Sequence, residues 1–360
     1  MSSNFLQLIR LKRTSPTTFV SLSMSERMGN LAPFAFGGQM ELDSKIRVRC
    51  LRPDPAGCVL ALAVNAAHLN LPQSPAAPLA IYSMLGHFLG PNKTDRHVKL
   101  VVEDVRTTRT FATRRVVVSQ VQDDGSERST LAVTLDFMAT SPSSVLQYST
   151  IAPSLPHHST VEPYLDSLDT RVAAGKLPAT VASSFKTLFG LMYKMMDVKM
   201  PDQSAFGQNA WGLAKHEATS QDGLPLTSKR SAHWLRCKMD LAAPPLPSTG
   251  EDAEPISSQA ANASMAAFAL DYALAFIPLS FSNQFLSDVG ACSTLDFALR
   301  FHSDVLDMRQ WHIEEIRTVA GDHGRTYSEG ALWGEDGKLV ATMTQQSVLR
   351  PLPDQIESKL

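Results

Sequence analysis

The 360-residue chain has only four cysteines, Cys50, Cys58, Cys237 and Cys292. None forms a C-x-x-C pair, and so low a density excludes a disulfide scaffold; they read as reduced thiols in a reducing or neutral compartment. No histidine cluster has metal-ligand spacing, and His157-His158, the single adjacent pair, sits in a Pro/Ser-rich stretch that reads as solvated loop. No metal or bound cofactor is therefore expected. A formal net charge of −2 offers no general attraction to nucleic acid or an anionic membrane, so only a local basic patch could serve a phosphate-bearing ligand. There is no G-x-S-x-G elbow, which argues against a serine hydrolase of the α/β type. A P-loop is missing too: Gly334-Glu335-Asp336-Gly337-Lys338 lacks both its spacing and its hydroxyl. Long apolar runs are also scarce. The richest, Ala263 to Leu279, is interrupted by Asp271 and Pro278 and suits a buried helix better than a membrane span. Arg10, Lys12 and Arg13 precede no apolar segment of signal-peptide length.

What is present is an ordinary globular balance, 44% hydrophobic and 19% charged, in a length that suits two domains. Two segments share one plan. In the first, an Ala-rich helix over Val59 to Ala67 precedes strand-like runs at Ala80 to Leu89, Val98 to Val105 and Phe111 to Val121. The turn signal Asp123-Asp124-Gly125 leads into Thr130 to Met138, where Leu131, Val133, Leu135 and Phe137 alternate. In the second, an Ala-rich helix over Ser258 to Ile277 is stopped by Pro278. Strands follow at Ser293 to His302, Trp311 to Val319 and Arg325 to Trp333, then an Asp336-Gly337 turn and Leu339 to Leu349. The repeat predicts a duplicated α+β unit: an N-terminal half over 1–140, a linker over 141–201 that is weakly helical near Ser183 to Met196, a C-terminal half over 202–352, and a tail over 353–360.

Asp271 is the residue that stands out. It lies among Phe268, Ala269, Leu270, Ala273, Leu274, Ala275 and Phe276, so a helix there is apolar almost all round and buried. A carboxylate in such a place is costly unless something satisfies it; it is either a structurally paired acid or a general base lining a pocket. Thr294 begins the next strand, and Gln345-Gln346 lies near the end of the last. A carboxylate, a hydroxyl and an amide around one water would position it for attack on an acyl carbonyl, with no Ser or Cys nucleophile required. Arg114 and Arg115 alternate faces on their strand, so one of them could meet a phosphate. His302 and Trp311 read as core or rim residues.

Several segments resemble the type II acyl-CoA thioesterase (TesB-like) family. They are Phe36-Gly37-Gly38-Gln39, Arg109 to Val117, Leu270-Asp271 through Phe276-Ile277-Pro278, Thr294-Leu295-Asp296, and Gln345 through Arg350. The resemblance runs from about Phe36 to Arg350 with a poorly matched middle, and rests on the order and spacing of the segments together. It implies a double hotdog fold, in which each long helix is wrapped by an antiparallel sheet. It also implies hydrolysis of acyl-CoA by a water held by Asp271, Thr294 and Gln345, coenzyme A entering only as part of the substrate. Proteins of this resemblance often pair further, so a homodimer is expected. Two departures stand out. Glu41 to Ala56, with Arg47, Arg49 and Arg52, interrupts the approach to the first helix, as a surface insertion or an unspliced intron. Leu85, Gly90 and Phe297 replace residues usual in the family, which bears on acyl specificity rather than reaction type.

The final residues, Ser358-Lys359-Leu360, match the receptor-read peroxisomal address, and the prolines at 351 and 353 would hold that tail extended. The expected partners are thus an acyl-CoA substrate and a peroxisomal import receptor. The alternative is a hotdog hydratase or dehydratase, or a non-catalytic acyl-CoA binder, in a fungal secondary-metabolite pathway. Asp296 and His302 are too separated to form the short Asp/His motif that hydration resembles in related folds.

Overall fold

The computed structural model describes residues 4–24, 40–41, 47–48, 56–72, 78–140, 143–242 and 252–352. In the N-terminal half a hairpin, β1 (Leu11–Ser15) and β2 (Thr18–Ser21), precedes helix α1 (Ala56–Leu69). Four strands follow: β3 (Leu79–Phe88), β4 (Lys99–Thr107), β5 (Phe111–Val121) and β6 (Glu127–Ala139). Three helices then cross to the other half: α2 (Tyr164–Ala173), α3 (Ala179–Leu188) and α4 (Gly190–Met195). The second half consists of β7 (Met196–Lys199), β8 (Ser231–Cys237), α5 (Ser258–Asp271), the short α6 (Ile277–Phe281), β9 (Ala291–Phe301), β10 (His312–Asp322), β11 (Arg325–Gly334) and β12 (Leu339–Arg350).

These twelve strands form one antiparallel sheet in the order β1-β2-β4-β5-β6-β3-β9-β12-β11-β10-β8-β7. Reading the order from either end gives the same plan, with β3 and β9 paired across the centre through registers such as Phe297 opposite Gly86. This is the duplicated double hotdog, and it joins the halves through continuous backbone hydrogen bonding. Strand alternation drives it: on β6, Leu131, Val133, Leu135 and Phe137 turn inward, while Ala132, Thr134 and Asp136 stay half-buried. The two long helices pack against each other and against strands of the sheet. Their alanines permit close approach, and Ser264 Oγ on α5 donates to the Ala61 carbonyl on α1 at 2.9 Å. The Ser257 side chain caps α5 by accepting from the Ala260 amide, and every residue from Ala260 to Asp271 is buried.

Three expectations need correction. The helix expected to reach Ile277 stops at Asp271, with Tyr272 as its C-cap. Pro278 does not break it; that proline sits in the first turn of α6, where its missing N–H has no helical partner to lose. The segment over 141–201 is richer in structure than a weakly helical linker. Its helices bury Tyr164, Phe185, Phe189 and Tyr193 in an aromatic cluster around Trp211, and β7, at its end, pairs with β8. Finally, β1, β2 and β8, strands of 5, 4 and 7 residues, lie outside the strand runs expected from the sequence.

Met40–Glu41 and Arg47–Val48 pair as a small separate ladder, and Ala56 already belongs to α1. The other residues of the 41–56 segment, together with Phe36-Gly37-Gly38-Gln39, Cys50 and Ser358-Lys359-Leu360, lie outside the described residues. Cys58, Cys237 and Cys292 are buried thiols. Among the described residues no helix is long and apolar enough to cross a membrane.

Candidate active site

Asp271 is the last residue of α5, and the helix delivers its carboxylate onto the inner face of β12. There Gln345 Nε2 donates to Asp271 Oδ1 at 2.5 Å, and Thr294 Oγ1 donates to Gln345 Oε1 at 3.3 Å. All three side chains are buried, at 2%, 1% and 5% exposure for Asp271, Gln345 and Thr294. The structure therefore brings together the acid, amide and hydroxyl that are 74 and 51 residues apart in the chain. The chain of donors also fixes the amide. With its oxygen taken by the threonine hydroxyl, Gln345 must turn its NH₂ toward the carboxylate.

Two local features aim these residues inward. On β12, burial alternates through Met343, Gln345 and Ser347, so Gln345 faces the core while Gln346 turns to the half-buried side. On β9, Thr294 and Phe297 are both buried although three residues apart, which strict alternation forbids. An irregularity in the pairing with β12 between Thr294 and Asp296 resets the phase and leaves Leu295 exposed. Phe297, the departure from the family pattern, fills space that Gly86 leaves open: a Cβ on Gly86 would lie 2.9 Å from the ring.

Electrostatically the site favours a proton on Asp271. Burial pushes its pKa up from 3.8 to about 7, and the Gln345 hydrogen bond opposes that rise. A carboxyl group that titrates there is divided between acid and base at neutral pH, as general-base chemistry requires. Ser328, the partner of Gln345 across β11 and β12, is buried, and its hydroxyl has no hydrogen-bond partner among the described residues. It lies on the site's flank and was not singled out in the sequence; its only signal there is inward phase with Gly330 and Leu332. Among the described residues the last turn of α1, Ala66 to Leu69, contains no carboxylate to match Asp271.

The other candidate residues fall elsewhere. Arg114 is buried and committed internally, donating to Asp104 Oδ1 at 2.8 Å and to the Asn70 carbonyl, so it is not available to a phosphate. Arg115 faces outward beside Glu103. His302 is exposed and bonded to Thr342 Oγ1, with no link to Asp296. Trp311 packs with Trp234, Ile313 and Trp333 in a second apolar cluster. His157 and His158 are not free loop residues: both Nε2 atoms lie against one Glu335 oxygen, at 3.1 and 2.9 Å. Two imidazoles and a carboxylate within 4.8 Å are a donor set suited to a divalent cation, though hydrogen bonding alone accounts for their arrangement.

Comparison with known proteins bears on both halves. A family model described as the acyl-CoA thioesterase N-terminal domain matches residues 56–146, and one described as the acyl-CoA thioesterase C-terminal domain matches 195–349. Among solved structures, the tesB protein of Mycobacterium avium subspecies paratuberculosis is 18% identical, with a TM-score of 0.59 over 96% of this chain and 98% of that one. The acyl-CoA thioesterase II TesB2 of Mycobacterium marinum is 15% identical, with a TM-score of 0.59 over 97% and 99%. A hot dog fold protein of unknown function from Alicyclobacillus acidocaldarius is also 15% identical, with the same score over 97% and 98%. At such identities these structures establish the fold alone. The search of curated proteins found no match.

Proposed function

The chain belongs to the acyl-CoA thioesterase family, and from that premise we propose that it hydrolyses a fatty or polyketide-like acyl-CoA through Asp271, Gln345 and Thr294. The observation that carries this reading is the buried hydrogen-bonded chain from Thr294 through Gln345 to Asp271. Asp271 acts as general base and takes a proton from water. The water oxygen bonds to the thioester carbonyl carbon, the tetrahedral intermediate collapses, and the carbon–sulfur bond breaks. Its electron pair leaves with the coenzyme A thiolate, which takes the proton back from Asp271. One acyl-CoA and one water thus become one carboxylic acid and one thiol. Gln345 orients the base, and Thr294 holds the amide in the orientation that lets it do so. No covalent enzyme intermediate and no bound cofactor is needed.

The proposal extends to context. Ser358-Lys359-Leu360 would hand the protein to a peroxisomal import receptor, placing it in fatty-acid turnover or in a secondary-metabolite pathway. A second copy of the chain is the remaining proposed partner. The test is purified full-length protein with a panel of acyl-CoA substrates and a thiol reagent, beside Asp271→Asn. Release of coenzyme A by the wild type with a loss of about a hundredfold or more in the variant is expected. Equal release from both proteins would remove Asp271 from the chemistry. Water addition to an enoyl-CoA without thiol release would favour the hydratase alternative, and saturable binding without turnover the binder.

A further inference from the structure

Next to the proposed base lies a second buried polar cluster to which the hydrolytic mechanism gives no role. Tyr272, the residue after Asp271, turns to strands beyond β11 in the same half of the sheet, where its phenol oxygen is 2.9 Å from His233 Nε2. The same nitrogen is 3.1 Å from Glu314 Oε2. His233 on β8 and Glu314 on β10 are direct register partners, and both are essentially without solvent contact. His233 Nδ1 and both carboxylate oxygens of Glu314 lack a well-formed hydrogen bond. The phenol itself packs beside Trp211, with ring centroids 5.2 Å apart.

Stability does not account for this cluster. An ionisable pair with unsatisfied atoms in a dry interior is usually no better than a well-packed apolar replacement, and often worse. Its location suggests a different use. Asp271 is where α5 runs out, and Tyr272 is the C-cap, so the carboxylate sits at the point where helical hydrogen bonding stops holding the backbone. Two consecutive residues are then tied to two separated parts of the sheet: Asp271 to β12 through Gln345, and Tyr272 to β8 and β10 through His233 and Glu314.

We propose that Tyr272, His233 and Glu314 are positioning residues that fix the end of α5 and thereby aim the Asp271 carboxylate at the reacting water. The proposal rests on the hydrolase reading above. A base misdirected by about an ångström loses rate without losing substrate affinity, and the loss reaches a hundredfold in well-organised sites. The cluster meets the proposed site through the peptide that joins Tyr272 to Asp271, so its effect should pass through Asp271.

The experiment is a double-mutant cycle on the full-length enzyme with one acyl-CoA substrate. Tyr272→Phe keeps the ring against Trp211 and removes only the hydroxyl. The expected result is a fall in kcat of about tenfold with KM within about twofold. Adding Tyr272→Phe to Asp271→Asn should cost nothing further, because the two act through one group. Glu314→Gln, which keeps shape but removes the charge and replaces one acceptor oxygen facing His233 with a donor, should reproduce the effect and serves in place of Tyr272→Phe should that protein fail to fold. Wild-type kcat in the folded variants would overturn the proposal, as would losses that multiply with that of Asp271→Asn. Failure of the hydrolase reading looks different: Asp271→Asn itself would then retain wild-type turnover.

Discussion

Replacing Asp271 with asparagine should make the protein more stable as well as less active, and the size of the effect follows from the site. The folded state holds the Asp271 proton up to a pKa of about 7, whereas the unfolded chain releases it near 3.8. Below 3.8 the acid is neutral in both states and costs nothing. Between 3.8 and 7 the unfolded chain binds fewer protons than the folded one, so stability falls as pH rises; above 7 the loss is complete. At about 1.4 kcal/mol per pKa unit the full penalty is on the order of 4 kcal/mol, of which roughly a third is already present at pH 5. Asparagine is nearly isosteric and keeps an oxygen to accept from Gln345 Nε2, so it removes the penalty without opening a cavity. Urea unfolding of both proteins from pH 5 to pH 8 should therefore show the variant ahead at every pH, its lead widening by about 2–3 kcal/mol and then levelling above pH 7. A lead that does not change with pH, or a variant less stable than wild type at pH 8, would refute the picture of a buried carboxylate forced to ionise.

Other outcomes follow from the same geometry. Gln345→Ala removes the one hydrogen bond that lowers the Asp271 pKa, so the midpoint of the rising limb of kcat/KM against pH should move upward from about 7 while kcat falls about a hundredfold. Thr294→Val deletes the hydroxyl that orients the Gln345 amide; about a tenfold loss of kcat is expected, largely restored in Thr294→Ser, as steady-state kinetics will read. Trp211→Ala, at the centre of the aromatic cluster joining the linker helices to α5, should cost about 3–5 kcal/mol in chemical unfolding. Removing Ser358-Lys359-Leu360 should leave purified activity intact and move a fluorescent fusion from puncta to the cytosol, and unchanged puncta would refute the address.

The repeated plan was legible because each half writes it in strong local signals. The Asp-Gly turns at 124–125 and 336–337 place glycine where φ is +81° and +78°, conformations that other residues adopt at a cost. The alternation from Leu131 to Phe137 matches the inward face of β6 residue for residue, because a one-residue slip would turn the whole set outward. Asp271 was legible for the opposite reason: a charge in an apolar helix contradicts its surroundings, and such contradictions mark functional sites. Elements held mainly by their neighbours left little trace. In α2 only Tyr164 and Leu168 are buried, too few to write a helical stripe, and β8 is fixed by pairing with β7 and β10.

By itself, then, the sequence determined the duplicated α+β plan and marked Asp271 as an acid out of place, because propensity, turn chemistry and burial pattern act over a few residues; Thr294 and Gln345 were singled out through the family resemblance. Only the tertiary structure showed that Gln345 bonds to that acid while Gln346 turns away, that an irregular strand turns Thr294 toward them, and that Arg114 is spent inside the protein. Side-chain direction on a strand depends on the phase of its pairing, and a partner dozens of residues away sets that phase. Tyr272, His233 and Glu314 meet for the same reason, brought from three elements to the point where one helix ends.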